Sequence, residues 1–390
     1  MVRLGVVVVV ALLASSLAVA APSRPKPALA TTCGALKDFE PIWSPSGRAL
    51  LFTRQRAYGA VSSVYRIDAN GQHERRLTPL DAYAYGGAWS PDGTRIAYAT
   101  FDLAAVAHIV VARADGSGAD VVASFQGMRY PPTAFLTWSR DAQLAYVDFD
   151  GELRTPQRVI AHGATQPAWS PDGRRIAYVS TQGLMVANSD GGNARVIADG
   201  SQPAWSPDGT RIAYTAAPGV GIHVIAPNGA GDRLVDAKAT SARWTADGRR
   251  VVGVLYVGRG LAHNAIRSAD LATGRVRTLT HDASIFFGSD DLQPAAAPSG
   301  RTIAFTAEPQ LGGTELRFVR SDGRGERRLT YHCASREENA GETFFGTWLP
   351  DIVNTRNRFR DVVSCGAGVD VAYVDRRDRV GRDCELVRRS

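Results

Sequence analysis

Gln166–Val179 reads QPAWSPDGRRIAYV, and Gln202–Thr215 returns it as QPAWSPDGTRIAYT. A third close copy, GAWSPDGTRIAYA, occupies Gly87–Ala99. Looser copies are IWSPSGRALLFT (Ile42–Thr53), TWSRDAQLAYV (Thr137–Val147), RWTADGRRVVGV (Arg243–Val254) and AAAPSGRTIAFT (Ala295–Thr306). Seven copies of one pattern make the chain a repeat, and the period of a repeat decides the fold before any single residue does.

Each copy spells a hairpin. A short apolar run ending in Trp is one strand, and Ile-Ala-Tyr with its neighbours alternates as the next. Ser-Pro-Asp-Gly between them makes a tight turn: Pro sets φ, Asp bonds nearby backbone, and Gly accepts positive φ. A second hairpin follows in each unit, closed by Asn70-Gly71, Asp115-Gly116, Asp150-Gly151, Asp190-Gly191, Asn228-Gly229, Thr273-Gly274 and Asp322-Gly323. Three of these second hairpins run into Leu-Thr, at Leu77-Thr78, Leu279-Thr280 and Leu329-Thr330. Every unit therefore holds four strands, A to D, with no helical pattern between units. The motif Trp residues are Trp43, Trp89, Trp138, Trp169, Trp205 and Trp244, with Ala296 in the seventh place. Their gaps of 46, 49, 31, 36, 39 and 52 residues surround the roughly 40–45 of a four-stranded propeller blade. A Trp recurring at one place in each blade is expected to pack between neighbouring blades.

The WSPDG-x-x-I-A-Y hairpin, followed by a D-G turn and L-T, resembles the TolB-type propeller repeat over roughly Cys33 to Thr330. The resemblance implies an all-β chain folded as a seven-bladed β-propeller of four-stranded blades, with six blades as the alternative register. It implies the fold and not the role of TolB in the Tol-Pal envelope system. The expected divisions are a signal peptide at 1–20, a flexible lead at 21–32, the propeller at 33–333 and a small tail at 334–390.

The signal segment reads MVRLGVVVVVALLASSLAVA, a charged end followed by an apolar run and a small-residue cleavage site at Ala18-Val19-Ala20. The run is short for a membrane span, which takes about 20 residues. The mature chain is thus expected to have no transmembrane span and to be secreted or periplasmic, with an uncleaved anchor as the alternative. Thirty-nine Gly and twenty Pro serve many turns, and 44% hydrophobic residues suffice for a core. The net charge of +7 rests almost wholly on Arg, since Lys occurs only at Lys26, Lys37 and Lys238. These Arg scatter over turns and strand ends rather than forming a basic run with interleaved aromatics, so nucleic acid is not an expected partner.

Beyond Thr330 the pattern changes. Asp351, Asp361, Asp370 and Asp378 each precede a short apolar stretch, 10, 9 and 8 residues apart. Cys365–Tyr373, CGAGVDVAY, resembles one worn copy of the calcium-binding nonapeptide of RTX proteins. That resemblance implies a small β-roll cap. Asp361 and Asp370 are its remaining candidate metal ligands; calcium wants six to eight oxygens, so at most residual calcium and no other cofactor is expected. Four Cys in an exported chain suggest two disulfides. Cys333 lies three residues after Thr330 and Cys33 ten before Trp43, the same point of an inter-blade linker. Cys33–Cys333 would then close the ring, leaving Cys365–Cys384 in the tail.

The chain carries no G-x-S-x-G, Walker loop, H-E-x-x-H or C-x-x-C, and its seven His show no metal-ligand spacing. Asp148–Glu152 begins like a calcium loop but lacks the remaining ligands, and reads as the C–D turn of a compressed third blade. One asymmetry is informative. A–B and C–D turns are short and uniform and share one face, whereas the other face carries the longer B–C and D–A loops. Insertions gathered on one face of a repeat array mark a binding face. Tyr83, Tyr85, Tyr130, Phe286 and Phe287 fall in those loops, with Asp290 and Asp291 beside them. Two readings of the rings stand open: interface anchors, or packing onto neighbouring loops. The expected function is a monomeric, non-catalytic scaffold for a protein or an envelope polysaccharide. The alternative is a propeller enzyme of lyase or lactonase type with its site in the central channel.

Overall fold

The computed structural model describes residues 36–55, 62–79, 83–102, 106–126, 136–219, 221–255, 265–280, 294–310 and 313–330, and the strands 343–345, 352–354, 362–364, 371–374, 379–380 and 386–389. Among them, the first 28 strands form seven four-stranded antiparallel units in chain order. Five stand as separate sheets, and the first and seventh units merge into one eight-stranded sheet. The A strands, innermost in a β-propeller, are Lys37–Trp43, Tyr83–Trp89, Thr137–Trp138, Thr165–Trp169, Gly200–Trp205, Ala239–Trp244 and Ala295–Ala296. No helix among the described residues is long and apolar enough to cross a membrane.

The repeat motif works through three local devices. In the A–B turn the Ser90 hydroxyl donates to Asp92 Oδ1 at 2.5 Å, and Asp92 in turn accepts from the Thr94 amide at 3.0 Å. Ser170–Asp172, Ser206–Asp208 and Thr245–Asp247 repeat the first bond at 2.6 Å. Gly93 closes the turn at φ +70°, a conformation costly for any residue with a Cβ. The second device is the Trp. Trp89 Nε1 donates to Ile42 O (3.1 Å), Trp138 to Ala88 O (3.2 Å), Trp205 to Ala168 O (2.9 Å) and Trp244 to Ala204 O (2.9 Å), each on the A strand of the preceding unit. Arginines from the preceding unit cover three of these rings: Arg95 on Trp138, Arg175 on Trp205 and Arg211 on Trp244, all within 5.0 Å of the centroid. The third device explains Leu-Thr. Leu77, Leu279 and Leu329 are buried, while Thr78, Thr280 and Thr330 accept through Oγ1 from the amides of Val64, Ile266 and Leu316 in strand C.

The ring closes between the seventh and first units without strand exchange. Lys37 pairs in parallel with Thr314, whose hydroxyl donates to Asp38 O at 2.8 Å. Trp43 Nε1 donates to Ala295 O at 3.0 Å, and its ring stacks on Phe318 with centroids 5.1 Å apart. Leu50, Phe52, Tyr65, Ala304, Leu316 and Phe318 form one core across this seam. Beside it Arg54, 2% exposed, donates bidentately to Asp38 and also meets Glu74. Burial works against its charge, yet the two carboxylates more than offset that and hold its pKa above the ordinary guanidinium value. All four Cys, and with them the proposed ring-closing bridge, lie outside the described residues.

The third unit departs from expectation. Its strands hold only two, four, three and four residues, and Asp150-Gly151 joins strands B and C rather than C and D. The Asp-Gly pair therefore lies on the loop face. In this unit the B–C loop has shrunk to a tight turn, so turn chemistry alone assigned it to the wrong hairpin. Trp169, which should meet the shortened A strand of this unit, leaves its Nε1 without a partner. In the tail, strands Thr343–Phe345, Val362–Ser364 and Arg379–Val380 pair in parallel, as do Ile352–Asn354, Val371–Val374 and Leu386–Arg389. Alternate strands share a sheet, the topology of a parallel β-roll. Asp361 and Asp370 lie outside the described residues.

Trp205→Ala should cost about 3–5 kcal/mol as a buried large-to-small change and lower the melting temperature accordingly. An unchanged melting curve would show that the ring does not hold the units together. Hydrogen bonds from the Ser90 hydroxyl and from Thr94 hold the Asp92 carboxyl down at about 2, and Asp172 and Asp208 are lowered in the same way. A folded pKa below the unfolded value of about 3.9 gives stability that is present above that value and lost as pH falls toward 2. Acid denaturation should accordingly steepen below about pH 4. Asp92→Asn should weaken that dependence in urea titrations at pH 2.5 and pH 6.

Candidate functional site

Every A strand described beyond its two motif residues carries the same irregularity. Register shifts fall between Phe39 and Ile42, Tyr85 and Ala88, Thr165 and Ala168, Ser201 and Ala204, and Thr240 and Arg243. The bulge residues Glu40, Gly86, Gln166, Gln202 and Ser241 take φ between 51° and 64°, three positions before the Trp. A bulge re-aims side chains where a strand leaves its ladder. Because strand A enters from the D–A loop, these residues sit at the loop-face end of the inner strands.

Their side chains bind unit to unit. Gln166 Oε1 accepts from the Gln202 amide at 2.6 Å. Gln202 Oε1 accepts from the Ser241 amide at 3.1 Å, the Ser241 hydroxyl at 3.2 Å and the Thr215 hydroxyl at 2.9 Å. In the first unit Glu40 accepts from Thr53 at 2.9 Å. The amide chain links units four, five and six, so the inner mouth there is a positioned polar collar. Sequence reading quoted the Gln of QPAW without giving it a role; its signal was a polar residue recurring three before Trp.

On the same face lies an open groove of about 510 Å³ between the B–C turns of units four and five. Ser180, Thr181, Gln182, Asp199, Ser201 and Pro218 line it. Gly183, at φ +123°, brings the unit-four turn against strand D; a Cβ there would meet Ala198 O at 2.5 Å. The groove offers hydroxyls, amides and one carboxylate, a donor set for hydrogen-bonding recognition.

The anticipated aromatics are placed in part. Tyr83 and Tyr85 lie not in a loop but in strand A of the second unit, since the bulge lets the strand run on past the motif. Tyr85 meets Phe101 edge-on at 6.2 Å, and the contacts continue through Phe149 and Phe125 to Tyr146. This aromatic run crosses units two and three, with Tyr85, Phe101, Phe125 and Phe149 all half-buried. Burial raises the Tyr83 hydroxyl above its usual range. Tyr130, Phe286, Phe287, Asp290 and Asp291 lie outside the described residues. Sequence reading did not single out Phe101, Phe125 and Phe149; Phe101 and Phe125 lie at or beside strand ends on the loop face.

Nearby, His108 Nδ1 lies 2.8 Å from Ser124 Oγ and its Nε2 lies 3.3 Å from Asp102. The order hydroxyl–imidazole–carboxylate is that of an activated nucleophile. Ser124, however, is exposed on the outermost strand, where water competes for every charge that forms. Among the described residues no group of three or more His, Cys, Asp and Glu could hold a metal ion.

Residues 137–343, just over half of the chain, match the TolB beta propeller domain model. The Tol-Pal system protein TolB of Anaeromyxobacter dehalogenans is 36% identical over 95 residues, 24% of this chain and 20% of that protein. The uncharacterized peptidase YuxL of Bacillus subtilis is 29% identical over 161 residues, 38% of this chain and 22% of that protein. The matches thus span about a fifth of these relatives' own length. Among solved structures, the β-propeller domain of the trilobed protease from Pyrococcus furiosus superposes with a TM-score of 0.55 at 14% identity, over 76% of this chain and 96% of that one. At that identity the likeness concerns the fold alone.

Gln202 holds φ +56°, so Gln202→Ala and Gln202→Gly lose the same amide bonds, but only Gly relaxes the backbone. Alanine should therefore be the more destabilising by about 1 kcal/mol, read from urea midpoints. Equal midpoints would show the bulge to be unstrained.

Proposed function

We propose that this chain, which belongs to the TolB β-propeller family, is an exported, non-catalytic scaffold that binds a protein of the cell envelope through its B–C/D–A face. The observation that carries the reading is the contrast between the two faces. The opposite face repeats one turn, in which Ser and Asp side chains are spent on holding the hairpin. The B–C/D–A face varies from unit to unit and carries the groove, the polar collar and the aromatic run. A surface that differs at each unit has room for specificity, and partly buried aromatics are the side chains that anchor protein interfaces.

Position supports the scaffold reading over the enzyme. The polar groups of the inner collar are engaged with one another: Gln202 Oε1 takes three donors, and Glu40 accepts from Thr53. Catalytic groups need to be poised toward a substrate with water withdrawn. The kinship with TolB, named for the Tol-Pal system, favours an envelope protein as partner over a polysaccharide. The divisions at 1–20, 21–32, 33–333 and 334–390 belong to this proposal, with the tail as an appended cap.

Binding of a partner isolated from the envelope fraction should weaken at least tenfold in Tyr83→Ala/Tyr85→Ala, about 1.4 kcal/mol, with the fold intact. Asp172→Ala on the opposite face should leave it unchanged. The reverse pattern would move the interface to the turn face, and depolymerisation of an envelope polysaccharide by the purified chain would replace the scaffold with an enzyme.

A further inference from the structure

The sixth and seventh units break the repeat at three places, and all three meet at one wedge. The residue before the motif Trp is Ile42, Ala88, Thr137, Ala168, Ala204 or Ala295 in the other units, but Arg243 in the sixth. The Trp that should reach across from the seventh unit is Ala296, so the carbonyl of Arg243 has no indole N–H to accept from. The bulge residue of the sixth unit is Ser241, too short to extend the chain of Gln side chains onward to the seventh. Arg250 shows the same gap from the turn side. Its counterparts Arg95, Arg175 and Arg211 lie on the next unit's Trp, whereas Arg250 turns to Asp270 at 3.5 Å.

Arg243 is also unlike the other enclosed arginines. Arg54 has Asp38 and Glu74, Arg267 has Asp236, and Arg317 has Glu315 and Glu326. Among the described residues Arg243 makes one hydrogen bond, Nη1 to Ala242 O at 2.9 Å, and no ion pair. Desolvation by the surrounding protein pulls its pKa down to about 10, while the side chain keeps some solvent contact. A charge enclosed without a counterion costs stability that a propeller with Ala at this position would not lose. Departures from a local rule without a structural gain are the mark of a site.

We propose that the wedge between the inner strands of units six and seven is an anion site in which Arg243 receives a carboxylate. Two parallel N–H groups of a guanidinium match a planar, singly charged carboxylate. A phosphate dianion would need further donors, and the nearby groups are acceptors or already committed: Ala242 O, Gln202 Oε1, and a Ser241 hydroxyl donating to Gln202. Ala296 lacks the indole that stands at the corresponding place in the other units, and the site does not depend on the partner assigned to the loop face.

The test follows the Arg243 Nε–H resonance in the full chain labelled with 15N-arginine, assigned by its loss in Arg243→Lys. Sodium acetate, sodium phosphate and sodium chloride are titrated at matched ionic strength. Acetate should shift this resonance saturably with a midpoint on the order of 10 mM, the strength of one charge-assisted pair. Acetate should also raise the melting temperature of the wild type but not of Arg243→Gln. An equal response to chloride, or a stronger one to phosphate, overturns the carboxylate site. A response to acetate that emerges only in Asp290→Asn/Asp291→Asn also overturns it, because the chain would then supply its own carboxylate.

Discussion

The ring depends on one bond repeated: an indole N–H reaching from the end of one A strand to a carbonyl on the A strand before it. A four-stranded antiparallel unit is apolar on both faces, as Leu50, Leu51 and Phe52 show in a single B strand, and it is not stable alone. The Trp buries a large ring between two such units and satisfies a backbone acceptor that would otherwise face the axis. The arginine stacked on the ring from outside shields it without burying its own charge. At the seam the same bond, Trp43 to Ala295, is joined by the pairing of Lys37 with Thr314, a strand pairing that the other described units do not share with their neighbours.

Because the Trp and the Ser-Pro-Asp-Gly turn do this holding work, the turn face has little freedom left. In units two, four, five and six a hydroxyl and a carboxylate bond one another within the A–B hairpin, so substitution there acts on the turn and not on recognition. The opposite face is released from that duty. Its strand ends carry bulges, its loops vary in length, and its rings and amides come from different units. In the function we propose, scaffold and recognition are divided between the two ends of the same strands, as in other folds whose loops bear function on a rigid frame.

The irregular units show how the arrangement tolerates loss. The third unit shortens all four strands and leaves Trp169 Nε1 unpartnered, yet Ala145, Val147 and Leu153 still pack with Trp169, Ile176 and Tyr178. The seventh unit lacks the Trp altogether, but Val252, Val254, Ile303 and Phe305 carry the apolar contact further out along the strands. Apolar packing in strands B and C therefore survives defects on the inner strand, and the inner strand is where the chain could vary toward a site.

Length, repeat period and turn chemistry determined by themselves that this chain is all-β, that its strands come in fours, and that Trp sits between units. Those features are local: a turn residue acts on its own four residues, and a hairpin pairs with its chain neighbour. The twofold hairpin reading held in six units, including the fourth, whose B–C turn spans only Thr181 and Gln182, and failed at Asp150-Gly151, where a turn motif cannot say which hairpin it closes. Tertiary structure alone decided the rest. The bulge at Gln166, Gln202 and Ser241 arises where an inner strand meets its neighbour unit, and their hydrogen bonds join residues some 36 to 39 apart in sequence. The aromatic run from Tyr85 to Tyr146 likewise needs strand ends from two units on one face. Arg243 is the one charged residue before the motif position in the repeat, but that it is enclosed with no carboxylate beside it among the described residues follows only from the packing of the units, because a charge is enclosed by its neighbours in space and not by its neighbours in the chain.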